Sequence, residues 1–79
     1  MSFAERFEEA RKRAGLSVAA TASRLGVSVQ SVYLWQQGSI PKPARLRELA
    51  ELLGVSLQWL MYGNEEPHSV MDHQNGVVA

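Results

Sequence analysis

Phe3, Phe7, Ala10 and Ala14 recur at intervals of three and four residues, the spacing that puts side chains on one face of a helix. Ser2 and Glu5 form an S-x-x-E capping box ahead of this stripe, and Gly15 closes it. Two short segments follow. Ser17 is placed to cap a helix over Val18 to Leu25, ended by Gly26, and Ser28 to cap one over Val29 to Gln36, ended by Gly38. The prolines of SIPKP forbid a continuous helix through the next stretch, while Pro43 suits the first turn of a fourth helix. In that helix Leu46, Leu49, Ala50 and Leu53 face inward before Gly54. Ser56 caps a last short helix with Leu57, Leu60 and Met61, and Gly63 stops it. No segment alternates well enough to predict a strand, and no internal repeat is present. The expectation is an all-α domain over residues 1–63. From Asn64 onward the sequence NEEPHSVMDHQNGVVA loses all periodicity, which predicts a flexible tail or the start of a linker over 64–79.

Serine starts, glycine stops and apolar spacing agree, and agreement between independent signals outweighs any single propensity. With 79 residues the chain is near the lower size at which one core holds without staples, and 46% hydrophobic residues supply the material for it. The absence of cysteine removes disulfides and thiolate metal sites and fits a reducing cytoplasm. No apolar run approaches the roughly 18 residues of a membrane span, and no apolar signal core follows Met1. The expected protein is soluble and cytoplasmic, with no membrane role.

Charge changes this picture more than composition does. The formal net charge is zero, yet Arg11, Lys12, Arg13, Arg24, Lys42, Arg45 and Arg47 share a window from 11 to 47 that contains no Asp or Glu. Phosphates respond to the potential within about 8–10 Å in physiological salt, so distant acids cost a phosphate-binding face little. A one-sign field over two short helices joined at a glycine points to DNA. Within helix 1, Glu8 with Lys12 and Glu9 with Arg13 are expected to pair at i,i+4. Arg45 and Arg47 are expected to be solvated or paired with Glu48 and Glu51 rather than to touch DNA.

Residues 18 to 37 resemble the helix-turn-helix of the Cro/cI-type (XRE-like) repressors of phages and bacteria, through Ala22, Leu25, Gly26, Val27, Val32 and Trp35 at the family's spacing. Ala22 is small where the two helices cross, Gly26 permits a positive φ, and the other four anchor the pair. AGLS before the motif and RLRELAELLGVSLQWLMYG after it also look like the family's flanking helices, so the likeness covers roughly residues 3 to 63. It implies a compact five-helix lambda-repressor-like DNA-binding domain. There are departures. Thr21 stands where leucine is usual, which loosens a contact or adds a hydroxyl needing a partner. Val18 stands where a glutamine often touches phosphate. Gln36 replaces a glutamate that pairs with an arginine of helix 1, here Arg11, which would leave Arg11 without an acid and freer to add to the positive face.

The resemblance puts the start of helix 3 in the major groove. With Val32 and Trp35 inward, Val29, Gln30, Ser31, Tyr33 and Leu34 face the bases. Gln30 leads, because its amide both donates and accepts at adenine N6 and N7, and Val29 suits a thymine methyl. Ser31 serves a base edge or a phosphate, and Tyr33 and Leu34 lean on sugar-phosphate or a neighbour equally well. Arg13, Ser17, Ser28, Gln37, Ser39 and Lys42 are the phosphate candidates. Trp35 reads as core. Trp59 and Tyr62 fit the core or a dimer interface, and the family's habit of dimerising here favours the interface.

These residues imply a sequence-specific transcriptional regulator, a nucleoid-associated repressor binding a palindromic double-stranded operator as a homodimer. The alternative is an antitoxin or adaptor that uses the same fold to hold a protein, with an antirepressor or toxin as partner. An enzyme is not expected, since no catalytic constellation, phosphate-binding loop or cofactor site falls in an ordered region. His68, Asp72 and His73 alone invite a metal, and in an unscaffolded tail they read as solvated.

Overall fold

The computed structural model describes residues 1–64. They form five helices in the order α1 (Phe3–Arg13), α2 (Val18–Leu25), α3 (Val29–Gln36), α4 (Pro43–Leu53) and α5 (Leu57–Tyr62). Each start has the chemistry read from sequence. The Ser2–Glu5 capping box closes in both directions, and Ser17, Ser28 and Ser56 accept from the backbone N–H groups of Ala20, Ser31 and Trp59. Pro43 takes the first turn of α4 without a side-chain cap. Gly26 requires its lack of a Cβ: at φ 70° it turns the chain out of α2 so that α3 can begin three residues later.

The core is continuous across the helices. Phe3, Phe7 and Ala10 of α1 meet Val32 and Trp35 of α3, with Leu46, Leu49, Ala50 and Leu53 of α4 and Leu60 of α5 completing it. Phe7 is fully buried, and its ring meets Trp35 edge-on at a centroid distance of 5.9 Å and an interplanar angle of 83°. Ala14 departs from the expected stripe. It is the exposed cap of α1, because the helix ends one residue before it and turns away.

Thr21 is completely buried, and its hydroxyl donates to the Ser17 carbonyl at 2.8 Å. The hydroxyl is therefore satisfied within its own helix, the i−4 bond open to a buried threonine. Among the described residues no buried side-chain nitrogen or oxygen lacks a partner. Arg6 was not singled out from sequence, yet it is 7% exposed and lies in the interior. Its guanidinium donates to the carbonyls of Leu60 at 2.9 Å and Met61 at 2.7 Å, and also to that of Met1. A charged side chain of α1 thus caps the carbonyl end of α5, where the helix leaves acceptors unpaired and its dipole favours a cation.

Truncating Phe7 to Ala is expected to cost about 3–5 kcal/mol, much of a small domain's stability. Urea titration followed by tryptophan fluorescence measures this, since Trp35 loses its ring partner; a loss below about 1 kcal/mol would show that the Phe7 contact does not hold α1 to α3.

Candidate nucleic-acid interface

Eight residues make α3, and the fold divides them cleanly. Val32 and Trp35 are buried, at 0% and 6% exposure. Val29, Gln30, Tyr33 and Leu34 are exposed and Ser31 is half-buried. The five residues expected to face bases are therefore on the surface of one helix, on the side away from Phe7. Ser31 is also engaged locally, its backbone N–H donating to the Ser28 hydroxyl and its own hydroxyl 3.2 Å from it.

The phosphate candidates surround that helix at element ends. Ser17 and Ser28 are the N-caps of α2 and α3; their hydroxyl oxygens accept backbone N–H groups at 3.0 and 3.2 Å. A hydroxyl that accepts keeps its own proton to give, and both stand at the positive ends of helices. Gln37 caps the far end of α3, and Ser39 and Lys42 are exposed in the following loop. Lys42 lines a shallow groove with Ser31, Val27 and Pro41, which puts a cation beside the start of α3. Arg13 is exposed and pairs with Glu9 at 3.1 Å, an exchangeable surface contact.

Arg11 corrects the sequence reading. It is not free of acids: Nε and Nη2 donate to the two Glu8 oxygens at 2.9 and 2.8 Å, and Nη1 donates to the Leu16 carbonyl at 2.8 Å. Glu8 was expected to pair with Lys12 instead. The planar fork of Arg11 matches both carboxylate oxygens one turn away, which the single ammonium of Lys12 cannot do. Gln36 joins the same acid, its Nε2 donating to Glu8 Oε2 at 3.0 Å. The acid of this cluster lies on α1 and the amide on α3, so a glutamine at 36 preserves a polar tie between the two helices. One carboxylate thereby fastens α1, the loop before α2 and the end of α3.

Arg45 pairs with Glu48 at 2.7 Å, and it also donates to the Leu25 carbonyl at 3.0 Å. That second bond pins α4 to the turn between α2 and α3. A basic residue two positions beyond Pro43 was the available signal, but only the folded chain brings it to residue 25. Lys12, Arg24, Lys42 and Arg47 form no ion pair among the described residues and are exposed.

Trp59 and Tyr62 separate. Trp59 is 7% exposed and belongs to the core, whereas Tyr62 is 63% exposed. Trp59 thus fills the protein's own interior instead of offering surface, because it lies on the face of α5 packed toward the core. Tyr62 lines a groove between α4 and α5 with Leu57, Met61 and Pro43. The possible metal ligands His68, Asp72 and His73 lie outside the described residues.

Two short capped helices, a left-handed glycine turn between them and an exposed second helix held on a third define a helix-turn-helix DNA-binding module. Residues 7–60 match the model of the Helix-turn-helix family, and the chain belongs to that family, with the features of its Cro/cI type. The protein is accordingly a DNA-binding transcription regulator whose ligand is double-stranded DNA, and the family is regulatory, not enzymatic. Among the described residues no helix is long and apolar enough to cross a membrane.

The Glu8 carboxyl is held below the usual carboxylate range, chiefly by the hydrogen bonds from Arg11, with Gln36 adding to it against the opposing effect of burial. A depressed pKa in the folded state means that this cluster adds stability fully above the ordinary value of 4.5 and loses it as pH falls below that toward the folded pKa. Glu8→Gln is therefore expected to be less stable than the parent at pH 7, with the gap closing as pH falls below about 4.5. Thermal denaturation of both proteins across pH 7 to 3 reads this directly; a gap constant with pH would show that the carboxylate charge is not what holds Gln36 and Arg11.

Proposed function

We propose that this protein is a repressor that binds a palindromic operator as a homodimer, with α3 in the major groove. The observation that carries the reading is the face of α3. Four exposed residues and the half-buried Ser31, none with a formal charge, lie on a helix whose other side is clamped, flanked by serine-capped helix ends and by Lys42. Uncharged amide, hydroxyl and apolar groups discriminate bases, while helix ends and cations grip phosphates without regard to sequence. On this reading Val29, Gln30, Ser31, Tyr33 and Leu34 read bases, and Arg13, Ser17, Ser28, Gln37, Ser39 and Lys42 position the duplex.

The dimer surface would lie at the α4–α5 groove, with Tyr62 as its exposed aromatic and Leu57 beside it at 40% exposure. Two copies related by a two-fold axis present their α3 helices to half-sites about 34 Å apart, one turn of the duplex. Repression follows from occupancy of a promoter by such a dimer. A regulator acting on DNA in this way would reside with the nucleoid in the cytoplasm.

Selection of bound duplexes from a random pool at two salt concentrations tests the reading, with an enriched palindrome of that spacing expected. Failure to enrich any sequence would sink it. On the enriched site, Lys42→Ala should weaken binding to all sequences alike and lower the salt slope by about one. Gln30→Ala should instead cost about 1–3 kcal/mol at a single base position and relax the preference there. Equal loss on every sequence with Gln30→Ala would remove it from the base-reading set.

A further inference from the structure

We infer that the base pairs contacted by α3 are A·T pairs, read as adenine through one amide and as thymine through its methyl group. This rests on the reading of α3 as the base-reading helix and goes beyond it to the class of sequence that the helix selects.

Of the eight residues of α3, Val32 and Trp35 are buried and unavailable. Gln36 is half-buried with its amide nitrogen committed to Glu8 at 3.0 Å, so it offers no free amide donor pair to a base. That leaves Val29, Gln30, Ser31, Tyr33 and Leu34. None is Arg or Lys, the groups that pair two donors with guanine O6 and N7, and none is Asp or Glu, the groups that accept from cytosine N4. Gln30 is exposed and carries the one carboxamide on the open face of α3, and a carboxamide matches adenine N6 and N7 with one donor and one acceptor.

The apolar members point the same way. Val29, Tyr33 and Leu34 are 37%, 47% and 47% exposed, a large apolar share for a solvated helix of this length. Among the major-groove edges, thymine alone presents a methyl group against which such side chains can be buried. The hydroxyls of Ser31 and Tyr33 donate and accept alike, so they impose no choice between bases. Ser31 is further held beside the Ser28 hydroxyl at 3.2 Å. Gln37 has a second amide but caps the far end of the helix, about two turns from Gln30, whereas the start of such a helix is the part that meets base edges. Lys42, an exposed cation that shares a groove with Ser31, stands in the loop after the helix. Its contact would lie at the margin of the half-site.

The test takes the site enriched by the full chain and locates the α3 positions as those where Val29→Ala, Gln30→Ala or Leu34→Ala changes base preference. These positions are expected to be A·T. Replacing each thymine there by deoxyuridine removes one methyl and should raise Kd about fourfold per buried methyl. Replacing the adenine opposite Gln30 by 7-deazaadenine removes its N7 acceptor and should raise Kd at least fivefold with the parent protein, and hardly at all with Gln30→Ala. An enriched site with G·C pairs at those positions, or one indifferent to deoxyuridine, would overturn the inference while leaving the regulator reading intact. A pool that yields no enriched site would remove both.

Discussion

An eight-residue helix does not hold its shape alone in water, since the cost of nucleating it is not recovered over two turns. The whole binding surface therefore depends on the contact that fixes α3 to α1. Phe7 is fully buried and packs nearly perpendicular to the Trp35 ring, with Val32 fully buried in the same core. This apolar lock decides which side of α3 is inside and, by subtraction, which five residues are outside. It also explains why the exposed side can be composed freely. Nothing about the stability of α3 requires Val29, Gln30 or Tyr33 to be what they are.

A lock of two rings and a valine fixes distance better than rotation, and polar contacts supply the rest. Glu8 receives Arg11 and Gln36, Arg45 reaches the Leu25 carbonyl, and Arg6 closes the end of α5. Apart from the Arg11–Glu8 pair within α1, each links segments 20 to 54 residues apart through a directional bond. Buried or half-buried groups of this kind specify one arrangement, because leaving any partner unpaired costs more than the bond itself contributes. The price is charge. Three of the seven cations in the acid-free window, Arg11, Arg13 and Arg45, fold back onto glutamates outside it. The positive field is accordingly narrower than the sequence suggests: Lys12, Arg24, Lys42 and Arg47 carry it among the described residues, joined by Arg13, whose exposed pair with Glu9 exchanges readily.

The elements and their boundaries were legible because they rest on local chemistry. Serine caps, left-handed glycines and Pro43 act within three or four residues of their own position, and every one of them stands where the spacing put it. The outward face of α3 was legible for a similar reason, since helical periodicity assigns Val32 and Trp35 to one side. The fate of Arg11 was not, because the usual partner of that arginine stands on α3, whereas Glu8 lies one turn away on α1, where lysine and arginine at 11 to 13 compete for two glutamates. Nor was Trp59 distinguishable from Tyr62: both are aromatic, three residues apart, on a helix too short to display its own stripe.

The sequence by itself determined five helices, their caps, the positive-φ turn at Gly26 and an uncharged stretch from Val29 to Leu34 inside an acid-free window. These are properties of residues and their near neighbours, so no knowledge of the fold is needed to read them. Only the tertiary structure decided which cations stay free, that Gln36 is spent on Glu8, that Arg6 serves the interior, and that Trp59 is core. The cations are taken by glutamates three or four residues away in competition with their neighbours, and Trp59 is buried by packing. Gln36 and Arg6, by contrast, meet partners 28 and up to 55 residues away at hydrogen-bond distance. A directional bond between distant segments has no periodicity, and so it leaves no trace along the chain.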